Sequence, residues 1–95
     1  MSGTATFYEA GLGNCGWTNS GSDMIVAVSN SMYAGGSNCG KKLTVTNQKT
    51  GKSQQATVAD RCPTCGGSQD LDMSWGLFSA LGGTANEGVF PISWS

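Results

Sequence analysis

The 95-residue chain contains no histidine, and this absence limits its chemistry. Without imidazole there is no Ser-His-Asp or Cys-His catalysis, no histidine-ligated metal and no imidazole switch near neutral pH. Proton transfer would therefore have to use carboxylates, tyrosine, lysine or water. We expect no metal and no cofactor.

Long apolar runs and basic clusters are missing as well. No run approaches the roughly 18 apolar residues that a membrane span requires. A formal net charge of −1 without a basic stripe argues against nucleic acid. No signal peptide is visible, and we expect Met1–Gly3 to be a start from which a native leader has been removed. The length predicts one domain, residues 1–95, and we expect a monomer.

Four cysteines are present in a chain that is rich in small polar residues, which is typical of a secreted, oxidised protein. They allow three pairings. A zinc site is an alternative, but zinc ribbons use two Cys-x-x-Cys knuckles and only Cys62–Cys65 forms one. A redox site usually opens a helix, whereas Gly66 and Gly67 follow here. Two structural disulfides are the favoured interpretation.

Half of the six acidic residues lie between positions 60 and 74, together with two cysteines. Asp70 and Asp72 flank Leu71, so both carboxylates point to one side if this segment is extended, and Leu71 points to the core. The pattern does not decide which of these two acids faces Asp60.

Simple structural roles stay open for each of these acids. Asp72 could cap the following helix, a role that Ser74 could also take. Asp60 could form a turn together with a salt bridge to Arg61 or a lysine, and Asp70 could simply be solvated. Glycoside hydrolysis usually needs two carboxylates that flank the sugar bond. No other acid has an evident place opposite Asp72, and the remaining ones are Glu9, Asp23 and Glu87.

Short β-prone segments dominate the rest of the chain. Alternating or continuous apolar patterns predict strands at Thr4–Tyr8, Met24–Val28, Lys42–Thr46, Gln55–Ala59 and Val89–Trp94. Pro91 in the last of these suggests an edge strand or a bulge. Helical spacing predicts a helix at Ser74–Leu81, and Asn30–Tyr33 can form a helical turn. Five or six short strands with one good helix predict a small closed β-barrel.

Large aromatic side chains are frequent for a chain of this size. Tyr8 and Trp17 flank the glycine loop Gly11–Gly16, where a surface site could form and stack on sugar rings. Trp94 lies in an alternating strand and is predicted to be core, whereas Trp75 lies off the apolar stripe of its helix and is predicted to be exposed.

Several blocks of the chain resemble, in order and spacing, the barwin and expansin families. They are Gly3–Tyr8 with Gly13–Gly16, Cys39–Asn47, Ala56–Cys62, Asp70–Ser74 and Gly88–Trp94. A single domain of this size is most similar to fungal loosenin-like proteins and to the related group named for riboflavin aldehyde formation. The resemblance implies an all-β, six-stranded double-psi β-barrel with one or two short helices in its crossovers and two disulfides.

The resemblance also implies roles for individual residues. Asp72 matches the position of a general acid in related glycosidases, Asp60 the aspartate that ends the preceding strand, and Thr6 a groove threonine. It pairs Cys15 with Cys39, and Cys62, without its usual partner, with Cys65. Two departures matter: a tyrosine of bacterial expansins is Cys62 here, and the catalytic base of the hydrolases has no clear counterpart.

These implications predict a secreted, extracellular protein that binds and loosens cell-wall polysaccharide (cellulose, chitin or hemicellulose) without efficient hydrolysis. Asp72 and Asp60 would be the working acids, and Thr6, Tyr8 and Trp17 would contact the polysaccharide. A protein-binding module, such as a secreted protease inhibitor or effector, is the alternative. A riboflavin-oxidising enzyme is suggested only by a family name, since the chain has no flavin motif.

Overall fold

A computed structural model describes residues 1–63, 65–67 and 69–95. The chain forms six strands and two short α-helices. In order they are β1 (Ser2–Phe7), β2 (Ile25–Val28), α1 (Asn30–Tyr33), β3 (Lys42–Asn47), β4 (Ser53–Arg61), β5 (Leu71–Met73), α2 (Trp75–Ala80) and β6 (Phe90–Trp94). A 3-10 turn at Ala34–Gly36 follows α1. No helix in these ranges is long and apolar enough to cross a membrane.

The strands close into a barrel in the order β1-β5-β2-β4-β3-β6. β1 runs parallel to β5, and β2 runs parallel to β4, while the other neighbours are antiparallel. The predicted six-stranded barrel with short helices is therefore confirmed. The strand that the sequence pattern did not predict outright is β5, which has only three residues. The pattern placed Leu71 in the core only if this segment is extended.

Alternate residues of the strands fill the barrel. Side chains that are almost fully buried come from every strand and from α2, among them Ala5, Val26, Val45, Val58, Leu71, Phe78 and Ile92. Leu71 therefore points into the core, as its place between two acids predicted. Trp94, also predicted to be core, is buried, and its indole N–H donates to the Gln69 carbonyl at 2.8 Å.

The start of α2 depends on Ser74 and not on Asp72. Ser74 is the N-cap, because its hydroxyl accepts the backbone N–H of Leu77. This side chain is fully buried and also donates to the Asp23 carbonyl. The carboxylate of Asp72 is therefore not used as a helix cap and remains available on the surface.

Pro91 lies inside a paired strand, so the expectation of an edge or a bulge is wrong. β6 pairs with β1 on one side, where Thr4 is opposite Pro91, and with β3 on the other. The Pro91 carbonyl accepts the N–H of Gln48, just beyond the end of β3. In an antiparallel strand the N and C=O of a residue point the same way. The missing N–H of Pro91 thus faces a position where β3 has ended.

Candidate functional site

Four residues on four neighbouring strands form a row across the outside of the barrel. Thr6 of β1 is opposite Asp72 of β5, Asp72 is opposite Ala27 of β2, and Ala27 is opposite Asp60 of β4. Side chains in directly opposed positions share one face of a sheet. Within this row, Ala27 is the one residue between Asp72 and Asp60.

A change of register in the β2–β4 pair places Asp60 in this row. Val26 is opposite Val58, but the next residue, Ala27, is opposite Asp60, so Ala59 is the extra residue of a bulge. A bulge redirects the side chains that follow it. The row therefore depends on one irregularity in the sheet, which strand periodicity could not predict.

Asp72 is half-buried and bound to Thr6, whose hydroxyl donates to Oδ1 of the carboxylate at 2.9 Å. Burial raises the pKa of Asp72, the Thr6 hydrogen bond opposes this effect, and the negative charge of Asp60 adds to it. The protonated form of Asp72 is therefore accessible at a higher pH than for an ordinary aspartate.

Asp60 is held by the backbone of two segments. Its Oδ1 accepts the N–H of Asn14 at 2.8 Å and the N–H of Arg61 at 2.7 Å. The turn-forming role is thus present, but the ion pair with the Arg61 side chain is not, since Lys49–Glu87 is the one salt bridge among the described residues.

The loop that carries Asn14 packs closely against the end of β4. A Cβ at Gly13 would lie 2.3 Å from the carbonyl oxygen of Ala59, so only glycine allows this approach. Cys15 then donates its N–H to the same carbonyl at 3.3 Å. The glycine loop at 11–16 is therefore part of the site, because it delivers the partner of Asp60.

Tyr8 lies close enough to both acids for their charges to act on its phenol. It follows β1, and its backbone N–H donates to the Met73 carbonyl at 2.9 Å. Burial, followed by the negative charges of Asp60 and Asp72, raises the pKa of Tyr8 to about 12. The phenol is consequently a neutral hydrogen-bonding group beside the two carboxylates at any physiological pH.

The position of Tyr8 can be checked by titration. In a Tyr33→Phe background, where Tyr8 is the one remaining tyrosine, phenolate absorbance should appear at a pH of about 12. Asp60→Asn with Asp72→Asn should lower this value only in part, because burial is the largest cause and remains. Asp23→Asn, on an exposed loop, is the control and should change nothing. A Tyr8 transition at the ordinary value of 10.0 would show that the phenol is not beside the acids.

Trp17 lies on the same loop as Asn14, but its ring is directed towards Gly40 and is 45% exposed. Trp17 is therefore close in sequence to Asn14, the partner of Asp60, but no contact between its ring and the acids is described. A second exposed aromatic group was not assigned to the site from the sequence. It is the edge-to-face pair of Phe7 and Trp75, with ring centroids 5.0 Å apart. The predicted exposure of Trp75 is confirmed at 41%.

A cavity of about 250 Å³ adjoins Asp72 and Thr6. Its lining comes from β1, the start of β5 and the second cysteine pair: Thr4, Thr6, Cys62, Cys65, Gly66, Asp70 and Asp72. Asp70 and Asp72 therefore do face the same side, as their spacing predicted. The cavity extends the row into a groove.

Asp70 is a structural residue, and the expectation that it is simply solvated is wrong. Its carboxylate accepts the N–H of Thr4 at 2.9 Å and the N–H of Gly67 at 2.8 Å. These bonds, with Thr4 first, lower the pKa of Asp70. Asp70 thus joins β1 to the loop before β5 and differs from Asp72 in the direction of its pKa shift as well as in role.

Both predicted disulfides, Cys15–Cys39 and Cys62–Cys65, are present. With all four thiols paired, neither the zinc interpretation nor a free-thiol redox site applies to this form of the chain. Among the described residues no group of three or more potential ligands could hold a metal ion. The groove therefore offers neutral and acidic oxygen groups, which can bind hydroxyls by hydrogen bonds.

Curated proteins and solved structures similar to this chain point in one direction. The chain is 37% identical over 75 residues to putative ripening-related protein 6 of rice, covering 76% of this chain and 45% of that protein. It is 32% identical over 89 residues to expansin-like protein 1 of Dictyostelium discoideum, covering 83% of this chain and 31% of the relative. The chain thus spans less than half the length of these curated relatives. No family model matches it.

The solved structure of an expansin from Clavibacter michiganensis aligns with 99% of this chain and 48% of its own length, with a TM-score of 0.86 and 37% identity. An Asp-to-Asn mutant of that expansin, solved in complex with cellohexaose, gives a TM-score of 0.85 and 36% identity, covering all of this chain and half of its own. Both likenesses extend over essentially the whole barrel.

Proposed function

We propose that this domain, which belongs to the expansin-related double-psi β-barrels, binds cell-wall polysaccharide in the groove over Asp72 and loosens it without efficient hydrolysis. The observation that supports the proposal is the row of Thr6, Asp72, Ala27 and Asp60 on one outer face of four strands. The cellohexaose complex of a related expansin supports the class of ligand.

The groove has the chemistry that a polysaccharide chain requires. Sugar hydroxyls need fixed donors and acceptors, and the two carboxylates, the Thr6 hydroxyl and the Tyr8 phenol supply them side by side. The C–H faces of sugar rings need exposed aromatic surface, which Trp17 supplies from the neighbouring loop.

Efficient hydrolysis is not expected, because the two acids lie on one side of the groove. Glycosidases place an acid and a base or nucleophile so that they flank the sugar bond. Asp60 and Asp72 belong to one row and would approach a bound chain from the same side. Of the other acids, Asp23 accepts bonds from Asn19 and Ser20, and Glu87 pairs with Lys49.

Retention on insoluble polysaccharide tests the proposal. The protein should be retained on cellulose, chitin or hemicellulose and release no soluble sugar. Trp17→Ala should weaken retention roughly three- to tenfold, the range for one stacked aromatic. Trp75→Ala, which removes an equally exposed ring outside the row, is the matched control and should be retained like the parent chain.

Two results would contradict the proposal in different ways. Steady release of soluble sugars would show that the domain is a hydrolase. A lack of retention on all three polysaccharides would favour the protein-binding module, with the groove serving a polypeptide partner.

We further propose that the domain works outside the cell. Two disulfides in 95 residues are typical of oxidising compartments, where small domains use such crosslinks to supplement a modest core.

A further inference from the structure

A second and larger cavity lies at another part of the barrel surface. Its volume is about 350 Å³, within the range of small-ligand sites. The apolar part of its lining consists mainly of Val28, Met32, Leu43, Val58 and Trp94. None of these residues lines the cavity beside Asp72, so the two cavities are separate.

The apolar lining continues into the core of the barrel. Val28 and Val58 are each only 2% exposed, and Trp94 is 5% exposed. Met32, after the start of α1, closes one side, and its carbonyl accepts the side-chain amide of Asn38 at 2.5 Å. Met32 and Leu43 are only partly buried and pack against this core, so they offer the apolar surface that a ligand would contact.

The charged side chains of the lining have one sign, and the two chain ends, Met1 and Ser95, also line the cavity. Lys41 and Lys42 line the cavity, while no aspartate or glutamate does. These are two of only five cationic side chains in the chain, and they are adjacent. Lys42 donates to the Thr57 hydroxyl at 3.2 Å, which leaves its other N–H groups free for a ligand. A cavity that is apolar inside and cationic at its edge is complementary to an amphipathic anion.

We propose that this cavity binds a small monocarboxylate with an apolar body, such as an arylalkanoate, with the ring against Met32 and Leu43 and the carboxylate at Lys41 and Lys42. The site is independent of the polysaccharide groove. Asp60 belongs to the row of the groove, whereas Val28 and Val58 belong to the core and line this second cavity. β4 therefore carries residues of both sites.

Trp94 provides a direct readout, because it lines the cavity and is one of only three tryptophans. In a Trp17→Phe/Trp75→Phe background, Trp94 emission should change saturably with 3-phenylpropionate. The uncharged analogue 3-phenylpropanol should bind more weakly. Lys41→Gln/Lys42→Gln should weaken 3-phenylpropionate binding roughly three- to tenfold, the range for two exposed ion pairs. Lys52→Gln, a surface lysine elsewhere, is the matched control.

Amide chemical shifts locate the binding independently of fluorescence. 3-Phenylpropionate should shift the amides of Val28 and Val58, and cellohexaose should leave Trp94 emission unchanged. No saturable response of Trp94, or equal affinity for the acid and the alcohol, would overturn the proposal. Because the probes differ, failure here is distinguishable from failure of the polysaccharide groove.

Discussion

We expect the Cys15→Ser/Cys39→Ser variant to lose about 3.5 kcal/mol of its free energy of unfolding, by the chain-entropy relation for a crosslink of this length. The bond joins cysteines 24 positions apart, so it removes much freedom from the unfolded chain. The whole free energy of unfolding of a small domain is about 5–15 kcal/mol. The variant should therefore be marginal, and urea denaturation of the oxidised proteins measures the difference.

The second disulfide supplies the matched control. Cys62 and Cys65 are only three positions apart, and the same relation gives about 2 kcal/mol for Cys62→Ser/Cys65→Ser. A larger loss for this pair than for Cys15–Cys39 would contradict the entropic account. It would indicate that the tight loop stabilises the native groove directly, since both of its cysteines line the cavity beside Asp72.

Asp72→Asn is expected to stabilise the protein at neutral pH. The folded-state pKa of Asp72 is raised above 3.8, chiefly by burial, so the folded protein holds this proton to a higher pH than the unfolded chain does. The associated stability is fully present below 3.8 and is lost as the pH rises through the folded-state pKa. Asparagine does not ionise, so the advantage of the variant should be seen at neutral pH and should disappear on acidification.

The same substitution should remove the pH dependence of polysaccharide binding. A bound sugar buries Asp72 further and thus favours its protonated form, so binding by the parent protein should weaken as the pH rises through the pKa of Asp72. Asp72→Asn should bind equally at mildly acidic and neutral pH. Asp72→Ala, which loses the polar group, should bind roughly 10- to 100-fold more weakly at both, the range for a charged or strongly polar hydrogen bond.

Calorimetric titration with cellohexaose and urea denaturation at a series of pH values check both expectations. Asp23→Asn is the control for the binding series, because its carboxylate lies on an exposed loop and accepts bonds from Asn19 and Ser20. In the urea series the pKa of Asp23 is lowered, so Asp23→Asn should change stability in the opposite direction to Asp72→Asn at neutral pH. Two outcomes would show that Asp72 has a structural role instead. They are an Asp72→Asn protein less stable than the parent at neutral pH, and parent binding that does not vary with pH.

The sequence predicted those features that repeat along the chain. Alternation in β3 and β4, the spacing of α2 and the place of Leu71 in the core all follow from periods that apolar residues must keep to be buried. β5 was less evident, because three residues are too few to establish a period. Its existence depends on β1 and β2, which pair with it on both sides.

The site was predictable only in part, since its geometry depends on contacts distant in sequence. Asp60 joins the row through a bulge, and its partner Asn14 is 46 positions away. Asp70 looks like a solvent-exposed acid in the sequence, yet it holds the backbone of Thr4, 66 positions away. The family resemblance, and not the pattern, predicted Asp72 as the working acid instead of Asp70. The structure gives a physical reason, because backbone N–H groups occupy the carboxylate of Asp70, whereas Asp72 accepts the Thr6 hydroxyl.

The pairing of β1 has a consequence for synthesis of the chain. This first strand is made before all others, but its neighbours are β5 and β6, near the other end of the chain. β1 therefore stays unpaired until almost the whole domain has been synthesised. Pairing of segments that are distant in sequence is also slow. Its sequence, Ser2–Phe7, has one fully buried side chain, Ala5, and is otherwise small and polar up to Phe7. Such a strand exposes little apolar surface while it waits, which protects the nascent chain against aggregation.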